Sequence, residues 1–371
     1  MMSNIISSKI PWEKIKYFFA ALIFILIFYI INKNKEFSYV GSALFRLSHS
    51  ESCKANLTDE EYERLFPKHS KYLFLAYEGN CGGLGNQLFR FASMYGIGKP
   101  FGRKPIFKEN QNCEKTKAIH ESEGNHEIEK LFPVYASQIK YINSTEKQNE
   151  TFYLRAFSPL FAYEDPQKYA ISRIKEKYLK IDGSAFQSYK YFESRRTEIR
   201  QIFQIGQDLC KTMEEYKNEL FGDDQSHKFC VYTRKGDFSK FTETKKDFTE
   251  QGIEFGFKYL MESFNNISVV LLGEDKQFLK DLKINRQLIA NVYLPKVMPR
   301  MNDMAFAIKT CDSLLITAQS STFGWWIAYL MPDNATIFYN SKFGKGVPHT
   351  RLNFLAEWVP IQLIKGKMTL D

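Results

Sequence analysis

The chain has 371 residues, 44% of them hydrophobic and 16% aromatic, and a formal charge of +9. That is enough chain and enough apolar material for two ordinary domains with large cores. The positive charge suits an anionic ligand or a membrane surface, but it is too diffuse to argue for nucleic acid, since no basic stripe interleaved with aromatics and no nucleic-acid-binding motif accompanies it, and no nucleic-acid partner is expected.

The first element is an uncharged apolar run, YFFAALIFILIFYII, from Tyr17 to Ile31. Its residues each favour membrane insertion by a few tenths of a kcal/mol, so the run should insert. As a helix it spans roughly 22 Å, short of a ~30 Å hydrocarbon core, with Trp12, Tyr29, Lys14 and Lys16 placed to anchor its ends. No small-residue cleavage site follows Ile31, which argues for a signal anchor over a removed leader. Lys9, Lys14 and Lys16 before the run slightly outweigh Lys33 and Lys35 after it, which favours a cytosolic N-terminus. The expected layout is a cytosolic tail over 1–16, a transmembrane anchor over 17–31 and a stem over 32–70. The rest would be lumenal. Five glycosylation sequons, at Asn56, Asn143, Asn149, Asn266 and Asn334, support that side collectively. All six cysteines (Cys53, Cys81, Cys113, Cys210, Cys230 and Cys311) also fall there. Disulfides persist in that compartment, and six cysteines allow 15 pairings among which spacing cannot choose. Cys230 and Cys311 could equally be small core residues. No CxxC or Cys/His cluster suggests a metal site.

Beyond the stem, Tyr72–Tyr77 reads as a strand, Asn86–Ile97 as a helix and Lys104–Phe107 as a short strand. Thr151–Phe157 reads as a strand and Tyr189–Phe203 as one amphipathic helix. Residues 108–150 and 205–226 are charged and read as irregular, with the GDD of 222–224 in an exposed polar turn. From 229 onward short apolar strands (229–233, 268–272, 291–294, 313–317, 335–339) alternate with helices (254–264, 275–282, 301–312, 322–331). That alternation means parallel βα units. We therefore expect an α/β protein with two Rossmann-like lobes, 71–205 and 206–371, and a ligand between them at the carboxyl ends of the strands.

Three loops could carry chemistry. The first, GGLGNQ, follows the first strand. Gly82 and Gly85 permit close approach, and the helix after them offers unpaired N–H groups and a positive dipole end. Asn86 and Gln87 can donate neutral hydrogen bonds. The spacing is neither GxGxxG nor GxxxxGK[ST], so a phosphate cradle and a simple tight turn both stay open, and a P-loop kinase is disfavoured. The second, YTRKGD, places Arg234 just past a buried strand, where its fork can hold two phosphate oxygens. Gly236 permits the turn that aims it. Asp237 either holds that turn or takes a proton from a substrate hydroxyl, and Lys235 alternates towards solvent. In the third, Ser320, Ser321 and Thr322 open a helix, where hydroxyls serve as caps or as phosphate partners. Trp325 and Trp326 should pack against the sheet.

Five stretches occur together in order: GGLGNQLFRFASMYGIG, FQSYKYF, VYTRKGDF, LLGEDKQFL and SSTFGWWIAYL. In this combination the chain resembles the α-1,2-fucosyltransferase family (glycosyltransferase family 11), and its nematode-like members most. The resemblance implies a GT-B-like fold of two Rossmann-type lobes with a cleft between them. It implies GDP-fucose as donor, inversion at the anomeric carbon, and transfer to a galactose or similar hydroxyl of a glycan on a glycoprotein or glycolipid. No metal or other cofactor is implied. It assigns the donor diphosphate to Arg234, to the turn of Gly82, Gly85, Asn86 and Gln87, and to Ser320, Ser321 and Thr322. A Golgi, single-pass type II location is also implied. Asp237, Glu243 and Asp247 are the candidate carboxylates for assisting the acceptor. The family pattern has His-x-Arg-Arg-Gly-Asp where this chain has Tyr232-Thr233-Arg234-Lys235-Gly236-Asp237. Tyr lacks a near-neutral pKa and Lys lacks a fork. A fucosyltransferase of other linkage, or an inactive membrane-anchored sugar-binding homologue, are the alternatives.

Overall fold

The computed structural model describes residues 57–68, 71–76, 82–108, 124–142, 148–155, 162–183, 185–236, 242–343 and 349–371. The expected tail and membrane anchor, Cys53, Cys81, Cys113 and Asp237 lie outside the described residues.

After a short helix α1 (Asp59–Leu65), β1 (Lys71–Leu75) leads through the glycine turn into α2 (Leu84–Gly98) and on to β2 (Arg103–Pro105). Two small strands, β3 (Phe107–Lys108) and β4 (Tyr141–Ile142), pair with each other, with α3 (Gly124–Leu131) and α4 (Pro133–Gln138) between them in the chain. β5 (Thr151–Leu154) and β6 (Tyr178–Ile181) complete a parallel sheet in the order β2-β1-β6-β5, with Leu73 opposite Leu179. Helices α5 (Arg196–Ile202) and α6 (Gln207–Phe221) precede the second sheet.

That sheet contains β7 (His227–Tyr232), β8 (Ile267–Leu272), β9 (Val292–Tyr293), β10 (Ser313–Ile316), β11 (Thr336–Asn340), β12 (Val359–Ile364) and β13 (Lys367–Leu370). Helices α7 (Lys246–Leu260), α8 (Lys276–Lys280), α9 (Arg300–Thr310) and α10 (Thr322–Leu330) alternate with its first five strands. The spatial order is β13-β12-β11-β10-β7-β8-β9, parallel except for the final β12–β13 hairpin. Counted from β7, the run from β9 to β12 reads 3-2-1-4-5-6, the Rossmann order. Its direction of growth reverses between β7 and β10, where open α/β sheets bind ligands. Every residue of β8 is buried, as continuous apolar strands covered on both faces must be.

One core continues from Leu73 and Leu179 in the first sheet to Leu314 and Ile316 in the second. Its centre is aromatic. Trp326 is fully buried and lies 5.1 Å from Phe89, 5.1 Å from Phe203 and 5.7 Å from Phe192. Each such pair adds roughly 0.5–1.5 kcal/mol beyond the area it buries. Trp325 and Trp326 thus join α2 to α10. Cys230 of β7 is bonded to Cys311, which follows α9, with their Cα atoms 5.6 Å apart. Cys210 is also disulfide-bonded.

Several expectations need correction. Residues 205–226 contain the fifteen-residue helix α6, which buries Leu209, Cys210, Met213 and Tyr216 on one face. Its many charged residues lie between those positions and mask the period. The stretch 108–150 likewise holds α3 and α4. Tyr189–Phe203 is not one helix. Two single 3-10 turns come first, because Tyr189, Tyr191 and Phe192 must all be buried, and no single α-helical face accommodates that spacing. The GDD segment is only partly exposed. The Asp224 carboxylate accepts from Ser226, Ser268, Asn291 and Tyr293 and lies 3.5 Å from Lys228 Nζ. Burial alone would raise its pKa, but these hydrogen bonds outweigh burial and hold it well below the usual carboxylate range.

Candidate functional site

At the end of β1, Gly82 has φ +70°, and a Cβ there would lie 2.1 Å from Asn86 Nδ2. Only glycine fits. Gly83 starts α2 without any side-chain cap, so the helix keeps open backbone donors at its first turn. Gly85 is glycine for a different reason: a Cβ there would meet Thr322 Oγ1 at 2.6 Å, in the first turn of α10. Asn86 Oδ1 accepts from Thr322 Oγ1 at 3.0 Å and from Gln187 Nε2 at 2.9 Å. Gln87 turns back and donates to the Gly82 carbonyl at 3.3 Å, bracing the turn.

At the end of β7, Arg234 is clamped through its main chain. Its N–H donates to Thr244 Oγ1 at 2.8 Å and its carbonyl accepts from Thr244 N at 2.9 Å. Thr244 Oγ1 in turn lies 2.7 Å from Thr317 Oγ1, past the end of β10. The Arg234 side chain is 14% exposed, and its Nη1 lies 3.0 Å from Glu274 Oε1, beyond β8. Arg300 Nη2, at the start of α9, lies 3.9 Å from the same oxygen. Arg234, Gly273, Glu274, Arg300, Asp303 and Phe323 line a shallow crevice open to solvent. The Asp303 carboxyl has a pKa pushed up to about 7, first by burial and further by Glu274, with Lys276 opposing. A carboxyl so placed changes charge near neutral pH and accepts hydrogen bonds once ionised.

Lys235 does not reach solvent freely. Its Nζ lies 3.2 Å from Glu243 and 5.1 Å from the Phe278 ring centroid. Glu243 is held by Lys245 and then Lys235 below its usual pKa. Asp247 sits in the first turn of α7.

At the end of β10, Ser321 caps α10, accepting from Gly324 N at 3.4 Å. Its Oγ lies 3.2 Å from the Tyr232 hydroxyl. Tyr232 is buried, its ring stacks on Phe323 at 5.9 Å, and burial raises its phenol pKa, opposed by Arg234. The ring fits because residue 324 is glycine: a Cβ there would lie 2.6 Å from Tyr232 Cδ1. Ser320, Ser321 and Thr322 line a second, small crevice with Gln187, His349 and Asn353. The Ser320 hydroxyl is buried there and finds no hydrogen-bond partner among the described residues.

The first turn of α10 is therefore where the predicted residues converge. Thr322 touches Gly85 and Asn86 on one side, and Ser321 touches Tyr232, two residues before Arg234, on the other. The crevices on its two flanks offer guanidinium groups and hydroxyls, a set that suits an anionic, hydroxyl-rich ligand, while the first turn of α2 packs beside Thr322 without lining either crevice. Among the described residues, no group of three or more His, Cys, Asp or Glu side chains is placed to hold a metal ion. Sequence reasoning missed Glu274, Arg300, Asp303, Gln187 and His349 as site residues. Two of them lay in stretches already quoted, Glu274 in LLGEDKQFL and Gln187 in FQSYKYF.

A family model described as glycosyl transferase family 11 matches residues 106–362. Two Caenorhabditis elegans proteins named galactoside 2-alpha-L-fucosyltransferase are similar along most of their length. One is 28% identical, covering 91% of this chain and 87% of its own. The other is 29% identical, covering 87% of this chain and 85% of its own. Among solved structures, a mutant of Arabidopsis thaliana FUT1 in complex with GDP is similar at 12% identity and a TM-score of 0.47, over 87% of this chain and 79% of that one.

Proposed function

The chain belongs to glycosyl transferase family 11, and from that premise we propose that it transfers fucose from GDP-fucose to a galactose or similar hydroxyl of a glycan, forming an α-1,2 linkage with inversion. The observation that carries this proposal is the position of Arg234. It stands at the switch point of a Rossmann-ordered sheet, its main chain clamped and its guanidinium in a crevice with Arg300 and Asp303.

In this mechanism the two sheets are the lobes of a GT-B-like enzyme. Arg234 and the open N–H groups of α2 bind the diphosphate and stabilise the charge that grows on it as the bond from fucose C1 to the phosphate oxygen breaks. GDP leaves with the electron pair. The acceptor oxygen attacks C1 from the opposite face through an oxocarbenium-like transition state, and its proton passes to a nearby base. Asp237, Glu243 and Asp247 are the candidate bases, and Glu243, tied to two lysines, is the weakest of them. Asp303, once ionised, accepts from the N1–H and 2-amino groups of guanine. The Ser320 hydroxyl gains its missing partner from a donor oxygen. Arg and backbone dipoles supply the charge that a metal supplies in other transferases.

We also place the protein in the Golgi membrane, single-pass and type II, anchored by residues 17–31. The apolar run, the sequons and the disulfides among the described cysteines support that placement.

The test is turnover by the purified protein with GDP-fucose over a panel of galactosides. GDP release and a product whose linkage is α-1,2 by NMR are expected. Another linkage would redirect the assignment to a different fucosyltransferase. Binding of GDP-fucose with no turnover on any acceptor would favour the inactive sugar-binding homologue.

A further inference from the structure

Gln187, the second residue of the FQSYKYF stretch, lines the site without a role in the transfer itself, yet it is among the most constrained side chains there. Gln187 is 6% exposed and bonds on three sides. Its carbonyl oxygen Oε1 lies 3.2 Å from His349 Nε2, its Nε2 donates to Asn86 Oδ1 at 2.9 Å, and its main-chain oxygen accepts from Asn353 Nδ2 at 3.0 Å. The residue before it, Phe186, holds φ +50°, a conformation that side-chain-bearing residues rarely adopt. Phe186 is 4% exposed and its carbonyl accepts from Ser93 Oγ at 2.8 Å. Backbone held in so unfavourable a region persists only where its surroundings over-determine it.

We propose that Gln187 is a positioning residue that fixes the Asn86 side chain, so that the Asn86 amide N–H groups, rather than its carbonyl, face the donor at the glycine turn. The proposal rests on the assignment of that turn to the nucleotide sugar. Two hydrogen bonds that converge on Asn86 Oδ1, from Gln187 Nε2 at 2.9 Å and Thr322 Oγ1 at 3.0 Å, carry it. Burial keeps the His349 ring neutral, with a pKa pushed down to about 4, so it has one N–H. With that N–H on Nε2, it donates to Gln187 Oε1. Gln187 then has only N–H groups to offer Asn86. Asn86 must answer with its carbonyl, which also takes the Thr322 hydroxyl at 3.0 Å. Its Nδ2 is left beside Gly82, where a Cβ would come within 2.1 Å. Gln187, in the orientation that the Nε2–H tautomer of His349 favours, thus sets which end of Asn86 faces the turn. A flipped Asn86 would present an oxygen to a diphosphate and repel it.

Gln187→Glu separates this role from bulk packing. At a pH high enough to ionise it against its burial, a Glu here keeps the size and still accepts from His349, but cannot donate to Asn86. Nucleotide affinity is measured by calorimetry on the full chain for wild type, Gln187→Glu, Asn86→Ala and the double variant, with melting temperatures alongside. The expected result is a loss of about tenfold or more for Gln187→Glu, the scale of one lost donor with an unsatisfied acceptor left behind. In the Asn86→Ala background, Gln187→Glu should cost nothing further, because residues that act through one another are not additive. Should Gln187→Glu fail to fold, Gln187→Met is read through the same cycle. Unchanged affinity in Gln187→Glu, or equal losses in both backgrounds, overturns the proposal. A panel of GDP, GDP-fucose and UDP-sugars on wild type keeps the two levels apart. Preference for another nucleotide defeats the fucose assignment, while the cycle still decides the role of Gln187 with that nucleotide. Binding of none defeats both.

Discussion

Trp326 donates its indole N–H to the carbonyl of Gly85 at 2.9 Å, across 241 positions of sequence. That bond, with the packing of Gly85 on Thr322, sets the helix after the first glycine turn against the helix after β10. The two loops that should share a diphosphate are therefore fixed to each other by core contacts before any ligand arrives.

Gly85→Ala tests that closeness. In an exposed helix the change would stabilise by ~1 kcal/mol. Here the new Cβ would meet Thr322 Oγ1 at 2.6 Å and the Thr322 carbonyl carbon at 2.7 Å. Overpacking of this kind costs about 1–3 kcal/mol, so the sign should reverse. A melting temperature lower by a few degrees is expected in differential scanning calorimetry. An increase would mean that α2 and α10 separate easily.

Arg234→Ala should weaken GDP-fucose binding by roughly 1.5–3 kcal/mol, about 10- to 150-fold, the loss of a charge-assisted contact. Arg234→Lys keeps the charge but not the fork and should fall between the two. Unfolding free energy should change by less than about 1 kcal/mol, because the partner Glu274 is 63% exposed and exposed ion pairs contribute little. Isothermal titration and urea unfolding check the two halves. Normal turnover by Arg234→Ala removes this residue from the mechanism.

Asp303 should give the protein a pH signature. Its pKa is raised from 3.8 to about 7 on folding, so the folded state binds the proton more tightly than the unfolded chain. Its contribution to stability is full below pH 3.8 and is lost as pH rises through about 7. Asp303→Asn removes that loss. The melting-temperature difference between variant and wild type should therefore grow between pH 5 and pH 8 in favour of the variant. GDP affinity should respond in the other sense. Guanine donors need the carboxylate, so wild-type affinity should fall below pH 7, while Asp303→Asn should be weak and flat. A pH-independent wild-type affinity would separate Asp303 from the nucleotide.

Breaking the Cys230–Cys311 link should be costly, since it joins residues 81 positions apart. Loop-closure entropy alone puts its contribution near 4.5 kcal/mol, within the 2–5 kcal/mol that loss of native disulfides usually costs. The Cys230→Ala/Cys311→Ala protein should unfold at lower urea than the oxidised wild type. Reductant should shift wild type by more than the variant, which keeps the Cys210 disulfide but has already lost this one.

The alternation of 229–339 was legible because buried parallel strands read as short apolar runs with helices between them, and each run carries its own signal. The glycine turn, the arginine past a strand and the hydroxyls opening a helix were legible for the same reason: each depends on residues adjacent in sequence. β6 was missed, although it lies between β1 and β5, because YLKI is short and carries a lysine. α6 was missed because its charges obscure a period that only burial reveals.

By itself the sequence determined the α/β class, the family likeness and the side chains that could meet a phosphate. Only the tertiary structure decided which of them meet. Gly85 touches Thr322, Tyr232 touches Ser321, and Gln187 donates to Asn86, each across a gap no local pattern spans. It also drew Glu274, Arg300 and Asp303 into one crevice with Arg234. The reason is physical: periodicity and turn chemistry act over a few residues, whereas a site is assembled by packing, which brings the ends of separate strands together once their apolar faces are buried.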